Sequence, residues 1–139
     1  MPERRAVGPA GVCAVTRGVA EESTPEEVFR GCPLGLELLH AVEGLLAPPA
    51  PAMRTTKSQV AFRGSRRGFA YVWCPGRYLT SDVPAVLSIA LGRRITDGRY
   101  KEVVQPSPGI WMHHLELRSV EDLDDEVARW LEEARNEAG

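Results

Sequence analysis

The sequence contains little cysteine and no long hydrophobic run. Its 3 cysteines, Cys13, Cys32 and Cys74, are far apart, and none forms the C-x-x-C pair that metal and redox sites favour. We therefore interpret all three as reduced thiols. No apolar run is long enough to span a bilayer, and the first residues lack the apolar block of a signal peptide. These absences predict a cytoplasmic protein without a membrane partner.

Sequence motifs of known catalytic sites are also missing. There is no glycine-rich phosphate loop and no G-x-S-x-G nucleophile elbow. Pairs of a nucleophile and a base, such as Cys74 with His113 or Ser58 with His114, have no third residue nearby to orient them. The two adjacent histidines point to opposite faces of a strand, so they cannot easily chelate one metal ion. The sequence thus predicts no catalytic residue, no metal and no cofactor, and it favours a binding protein over an enzyme.

What the sequence does contain is typical of one globular domain. Its 139 residues suffice for a single core, and 43% of them are hydrophobic and 26% charged, as in folded proteins. Residues 1–23 mix glycine, proline, alanine and charged residues without a sustained apolar period, which predicts a disordered tail. Residues 24–139 are predicted to form a single α+β domain.

Three helices are predicted from their caps and apolar stripes. The first begins at Thr24, with Pro25 at its first position and Glu27 completing a capping box. Gly31-Cys32-Pro33 should end it and start a longer, leucine-rich helix. The last helix is predicted to begin at Ser119. Its core-facing stripe consists of Leu123, Val127, Trp130, Leu131 and Ala134.

Four strands are predicted between these helices. From Lys57 to Arg63 polar and apolar residues alternate, which predicts a half-buried strand with Lys57, Gln59 and Arg63 on its wet face. The other strands are predicted at residues 69–74, 86–91 and 111–117, with a short fifth strand near residues 78–79. The predicted fold is a four- to five-stranded antiparallel sheet packed against N-terminal and C-terminal helices, in the order α-α-β-β-β-β-α.

Charge is strongly segregated along a chain whose formal net charge is only −2. Residues 54–118 hold 11 lysines and arginines against 4 acidic residues, whereas residues 119–139 hold 2 against 8. This pattern predicts a basic sheet beside an acidic C-terminal helix. The positive electrostatic field of such a sheet favours an anionic partner. A solvated basic surface that the acidic helix partly neutralises would give the same pattern of charges along the chain.

Four segments of the chain resemble a known family. They are residues 56–62, 68–73, 111–117 and 122–127, with the sequences TKSQVAF, GFAYVW, WMHHLEL and DLDDEV. They are similar to an uncharacterised family of bacterial domains of unknown function, of the DUF5655 type. The likeness runs from about Pro25 to the C-terminus and leaves out the tail. It implies a small α+β domain, alone or appended to other modules, with no settled activity and no catalytic residue to transfer.

The basic residues are expected to form a site for an anion. Guanidinium groups bind phosphate and carboxylate through paired hydrogen bonds. His114 on the wet face is better placed for a ligand than His113, whose apolar neighbours are typical of a core residue. The expected ligand-binding residues are Lys57, Gln59, Arg63, Arg93, Arg94, Trp111, His113 and His114, with Tyr71, Trp73 and Tyr100 as further stacking surfaces.

Three functions are compatible with these features. The first is a non-catalytic module that binds an anionic small molecule or an acidic protein segment on the sheet face away from the helices. The second is a small enzyme that acts on an anionic metabolite, with a histidine as acid or base. The third is a nucleic-acid-binding domain that contacts phosphates through Arg66 and Arg67. The overall acidity of the chain makes the third the least favoured.

Overall fold

The computed structural model of this protein describes residues 24–77 and 81–139. The predicted disordered tail, residues 1–23, lies outside the described residues, and so do Cys13 and the short strand predicted near residues 78–79. Within the described ranges, no helix combines the length and the apolar character needed to cross a membrane.

The two N-terminal helices begin where the sequence predicts. Helix α1 spans Pro25–Val28 and α2 spans Pro33–Leu45. Thr24 Oγ1 accepts a hydrogen bond from the Glu27 amide at 3.2 Å, and the Glu27 carboxylate accepts one from the Thr24 amide at 2.9 Å, which confirms the capping box. Pro33 has no N–H, so it begins α2 without leaving a backbone donor unpaired.

The C-terminal helix α3, Asp125–Glu137, begins later than predicted. Ser119 instead precedes a single turn of 3-10 helix, Val120–Asp122, and Leu123 then leaves helical geometry with a ψ of 78°. Asp124 is the N-cap of α3, because its carboxylate accepts a hydrogen bond at 3.1 Å from the amide three residues further on. A 3-10 turn and then α3 therefore follow each other where the sequence predicted one continuous helix.

Six strands form one antiparallel sheet within the described residues. In chain order they are β1 Ala52–Thr55, β2 Val60–Arg63, β3 Gly68–Trp73, β4 Ala85–Leu91, β5 Tyr100–Ser107 and β6 Ile110–Leu117. Their spatial order is β1-β2-β3-β4-β6-β5, and every neighbouring pair is antiparallel. The predicted α+β fold, with helices at both ends of the chain, is confirmed.

The two strands that the sequence did not predict are the edges of this sheet, whereas β2, β3, β4 and β6 correspond to the four predicted strands. Three of the four residues of β1 are exposed, and most of β5, which lies in the long connection between β4 and β6, is exposed as well. An edge strand buries few side chains, so it lacks the alternation that reveals a strand inside a sheet.

Both long helices cover the same face of the sheet. The buried hydrophobic residues of α2 and α3 belong to one apolar cluster with side chains of the central strands. Alternate residues of β4 point into this cluster, namely Ala85, Leu87, Ile89 and Leu91. The intervening residues, Val86, Ser88 and Ala90, point to the other face because successive side chains of a strand alternate. We refer to that second face as the open face.

Cys32 and Cys74 are joined, which corrects their interpretation as reduced thiols. Their sulfur atoms are in contact, and the two residues lie 42 positions apart in the sequence. The pair links the start of α2 to the end of β3. Spacing along the chain does not reveal such a pair, because the two cysteines meet only when α2 packs on the sheet.

Two glycines of α2 provide a matched test of how closely this helix packs. A Cβ atom at Gly35 would lie 2.5 Å from the Pro84 carbonyl oxygen and 2.6 Å from the Phe29 ring, whereas one at Gly44 would meet nothing within 4 Å. We expect Gly35→Ala to lower the free energy of unfolding, because overpacking costs about 1–3 kcal/mol. Gly44→Ala should raise it by about 0.5–1 kcal/mol through the higher helix propensity of alanine.

Urea unfolding of the two alanine variants beside the unmodified protein measures both changes. Stabilisation by Gly35→Ala equal to that by Gly44→Ala would contradict the close approach of α2 to Pro84.

Candidate functional site

The open face of the sheet carries a pocket of about 450 Å³. Its walls come from β3, β4 and β6 and from the residue that precedes β2. The lining residues are Gln59, Tyr71, Trp73, Ser88, Met112 and His114. A volume of this size lies within the range of about 300–1,000 Å³ that small-molecule sites occupy.

Strand register brings the polar groups of this pocket into one row. Ser88 of β4 pairs with Tyr71 of β3 on one side and with His114 of β6 on the other. His114 in turn pairs with Glu102 of β5. Residues paired across neighbouring strands point to the same face of a sheet. A phenol, a hydroxyl, an imidazole and a carboxylate therefore follow one another across four strands.

A hydrogen-bond chain joins three side chains of the pocket. The Trp73 indole Nε1 donates to Ser88 Oγ at 3.4 Å, and Ser88 Oγ lies 2.7 Å from His114 Nδ1. An indole nitrogen can only donate, so the hydroxyl accepts from Trp73 and can give its own proton to His114 Nδ1. When the hydroxyl donates in this way, the imidazole proton of His114 lies on Nε2; in the other tautomer His114 Nδ1 donates and the hydroxyl accepts from both rings.

The electrostatics of the pocket come from neutral groups. Burial lowers the pKa of His114, and the nearby Glu102 carboxylate opposes this shift. A lowered pKa keeps the imidazole uncharged at neutral pH. Ser88 is only 3% exposed and forms the floor of the pocket. The site therefore offers hydrogen-bonding groups and aromatic rings rather than a cluster of fixed charges.

The structure brings two of the predicted ligand-binding residues, Gln59 and His114, together in this pocket. Gln59 is held at the start of β2 by a tight turn, in which its carbonyl oxygen accepts hydrogen bonds from the amide and the hydroxyl of Thr56. Lys57 lies in that turn and Arg63 at the other end of β2, and both are exposed. They flank the pocket without lining it.

Arg93, Arg94 and Trp111 make contacts elsewhere. The Arg93 guanidinium binds the Glu133 carboxylate of α3 through two hydrogen bonds of 2.8 and 2.9 Å, and this carboxylate raises the pKa of Arg93. The Arg94 guanidinium lies 5.9 Å from the centroid of the Trp111 ring, within the range of a cation–π contact. Trp111 pairs with Leu91, a residue of the core-facing set. None of the three predicted residues lines the pocket.

His113 is fully buried on the core side of β6, opposite His114. Its Nε2 accepts a hydrogen bond from the Ile95 amide at 3.0 Å, so the ring proton sits on Nδ1, beside the carbonyl oxygens of Ile89 and Trp111. Burial lowers the pKa of His113. A ligand on the open face cannot reach this ring, which holds the connection after β4 against β6.

Much of the basic charge is neutralised inside the molecule. Arg66 donates to the Glu137 carbonyl oxygen at 2.7 Å, and so the loop between β2 and β3 binds the end of α3. Arg54 of β1 and Arg63 have no carboxylate within 4.0 Å among the described residues. The basic residues that do have one include Arg67, Arg93, Arg99, Lys101 and Arg118.

The family to which the chain belongs follows from comparison with known families. A family model described as domain of unknown function (DUF5655) matches residues 37–136, which is most of the chain. The chain belongs to this family. No curated protein and no solved structure matches it. The matched residues include all the strands described above, so the pocket lies wholly within the DUF5655 domain.

Two residues of the DUF5655 pocket were missed by the sequence-based prediction. Ser88 is the only polar residue of β4, and a lone hydroxyl in a fully buried strand needs a partner, which is the signal that would have found it. Met112 alternates with His113 along β6, so its position follows once the core side of that strand is known. Tyr71 and Trp73, predicted as stacking surfaces, do line the pocket.

Within residues 24–77 and 81–139, no group of three or more histidine, cysteine, aspartate or glutamate side chains is placed to hold a metal ion.

The hydrogen bonds of His113 predict that the DUF5655 domain loses stability in mild acid. Protonation would put a hydrogen on Nε2, which faces the Ile95 amide hydrogen, and burial disfavours the charge as well. The folded-state pKa is therefore below the ordinary value of 6.5, and the unfolded chain takes up the proton first as the pH falls. The stabilisation by neutral His113 is fully present above the ordinary pKa of 6.5 and is lost as the pH falls towards the folded-state pKa.

Urea unfolding between about pH 8 and about pH 5 should show a falling midpoint, because stability tracks the proton uptake of the unfolded state. In His113→Gln the amide oxygen keeps an acceptor for Ile95 but does not titrate, so the fall should be shallower. A His114→Gln protein is the control for the second histidine. The same pH dependence in His113→Gln as in the unmodified protein would contradict this role of His113.

Proposed function

We propose that this DUF5655 domain is a non-catalytic binding module that takes a small planar anion on its open face. The observation that carries the proposal is the meeting of Trp73, Ser88 and His114 in one pocket of about 450 Å³. A concave site with aromatic walls and a few placed polar groups is the usual form of a small-molecule site. A cytoplasmic location belongs to the same proposal and rests on the sequence alone.

The charges around the pocket favour an anionic ligand bound in one orientation. Arg54 and Arg63 stand towards the β1 and β2 side, where no carboxylate of the described residues lies within ion-pair distance of them. Glu102 lies on the opposite side, next to His114. An anionic group is therefore attracted towards β1 and β2 and repelled from β5. The planar part of the ligand then rests on the aromatic rings between the two sides.

The distribution of ion pairs favours a small molecule over a larger partner. An acidic protein segment or a nucleic acid would need a wide basic surface. Arg93 is bound to Glu133, and the loop with Arg66 and Arg67 is bound to the end of α3. The remaining positive charge beside the pocket suits a single phosphate or carboxylate group better than an extended polyanion.

A small enzyme with a histidine acid or base is the second candidate, and the contact between Ser88 Oγ and His114 Nδ1 at 2.7 Å favours it. A neutral imidazole at this distance from a hydroxyl is the arrangement of a nucleophile and its base. However, β3 and β6 pair with β4 on both sides of Ser88, which engages the backbone amides there. No backbone amide beside Ser88 is then free to stabilise an oxyanion, and we therefore rank binding above catalysis.

The proposal predicts that Trp73→Ala weakens ligand binding about tenfold or more, since a stacked aromatic contact is worth about 1–3 kcal/mol. The probes are nucleoside monophosphates and aromatic carboxylates, each beside its uncharged nucleoside or amide. A thermal-shift screen selects the probe, because a ligand that favours the folded state raises the melting temperature. Titration calorimetry then measures the dissociation constants. Trp111→Ala, which changes a tryptophan outside the pocket, is the matched control.

Three results decide between the candidates. Arg63→Gln should weaken binding of the anionic probe and leave its uncharged counterpart unchanged, and equal binding of charged and uncharged probes would contradict the anion proposal. Unchanged affinity in Trp73→Ala would remove the pocket as the binding site. Covalent labelling by a fluorophosphonate that is lost in Ser88→Ala would instead support the enzyme.

A further inference from the structure

We propose that Cys32 and Cys74 form an exchangeable disulfide, opened and closed by small thiols, that fastens α2 to the sheet. Their sulfur atoms are in contact. Cys32 is the N-cap residue of α2, and Cys74 directly follows β3. Their Cα atoms are 7.1 Å apart, whereas bridged cysteines usually lie about 4.4–6.8 Å apart, and a separation above about 7 Å means that the backbone moves when the bridge closes. The same backbone therefore also accommodates the two free thiols.

A second pocket, of about 410 Å³, gives a small thiol access to this pair. Both cysteines line it, and it shares no residue with the pocket on the open face. Cys32 is half-buried, whereas Cys74 is only 3% exposed. An incoming thiolate therefore reaches the Cys32 sulfur first, and Cys74 is the sulfur that leaves.

The groups around Cys32 favour its thiolate form. Cys32 is the N-cap residue of α2, a helix of 13 residues, so its side chain lies near the positive end of the helix dipole although it makes no capping hydrogen bond, and Arg30 lines the same pocket. Both stabilise a thiolate, although Asp82 on the pocket wall opposes them. The Pro84 carbonyl oxygen lies 3.4 Å from Cys32 Sγ and can accept a hydrogen bond from the protonated thiol. Both reduced forms of Cys32 thus have a partner in this pocket.

The exchange balances with a monothiol such as glutathione as the reductant. Its thiolate bonds to Cys32 Sγ, the bond between Cys32 and Cys74 breaks, and Cys74 leaves as a thiolate that takes up a proton. A second glutathione thiolate attacks the glutathione sulfur of the mixed disulfide, forms oxidised glutathione and releases Cys32. Two electrons pass to the protein, and the proton that each glutathione loses ends on one of the two cysteines.

Reduction should loosen α2 without removing the fold. The bridge closes a chain segment of 42 residues, and a closed loop of that length restricts the unfolded chain. The apolar contacts of α2 through Leu38, Leu39 and Val42 remain after reduction. We expect the melting temperature to fall by roughly 5–10 °C when the bridge opens.

The test uses the full chain with Cys13→Ser, so that only the two proposed partners can react. The protein is equilibrated in mixtures of reduced and oxidised glutathione, quenched with acid and alkylated, and its mass is measured. We expect a single transition from no alkylated cysteine to two, with the melting temperature falling over the same range of mixtures. Peptide mapping of the oxidised form should recover the segments that contain Cys32 and Cys74 as one cross-linked species.

Single substitutions test the asymmetry between the two sulfurs. In Cys74→Ser the half-buried Cys32 should form a mixed disulfide with glutathione, whereas in Cys32→Ser the buried Cys74 should not. Two alkylated cysteines in oxidised glutathione would show that no bridge forms, and none in excess reduced glutathione would show that the bridge does not exchange. Either result overturns the proposal, as does an unchanged melting temperature across the transition. Ligand binding at the open face is not measured, so these outcomes are independent of the proposed function.

Discussion

The packing of α2 and α3 on the same face of the sheet is the constraint on which the rest of the described structure depends. Because α2 and α3 both pack on that face, alternate residues of each central strand enter different environments. His113 and His114 are adjacent in β6, yet the first is fixed in the core by the Ile95 amide and the second bonds to Ser88 on the open face. A slip of one residue in strand register would exchange their environments. The apolar pattern that sets the register therefore also decides which side chains a ligand can meet.

The same packing explains why the basic part of the sequence is less available than its charge suggests. The acidic helix α3 lies on the covered face, and its carboxylates Glu133 and Glu126 bind Arg93 and Arg99 of the connection between β4 and β5. The basic and acidic segments of the chain thus partly neutralise each other within the fold. Among the described residues, Arg54 and Arg63, on the side of β1 and β2, have no carboxylate within ion-pair distance. A count of charges along the sequence cannot separate these two sets, because their difference depends on which face each strand residue occupies.

Much of the fold could be predicted from the sequence, and the parts that could not share a physical cause. The capping box at Thr24 and the four central strands follow from local chemistry and from alternation. Strands β1 and β5 bury too little to show a pattern, and the pairing of Cys32 with Cys74 depends on tertiary packing. Of the site, Gln59 and His114 were predicted from strand faces, and Tyr71 and Trp73 as aromatic stacking surfaces. Ser88 was missed because its strand is otherwise apolar, and the registry with His114 was not known.

The small floor of the open-face pocket has a consequence for how this family can diverge. The floor residue Ser88 lies between Leu87 and Ile89, which point away from it into the core. An exchange of Ser88 for a residue of similar size would break its hydrogen bonds to Trp73 and His114 while the neighbouring leucine and isoleucine keep their packing. Relatives that share the scaffold could in this way present a different open-face pocket without a change in the core behind it.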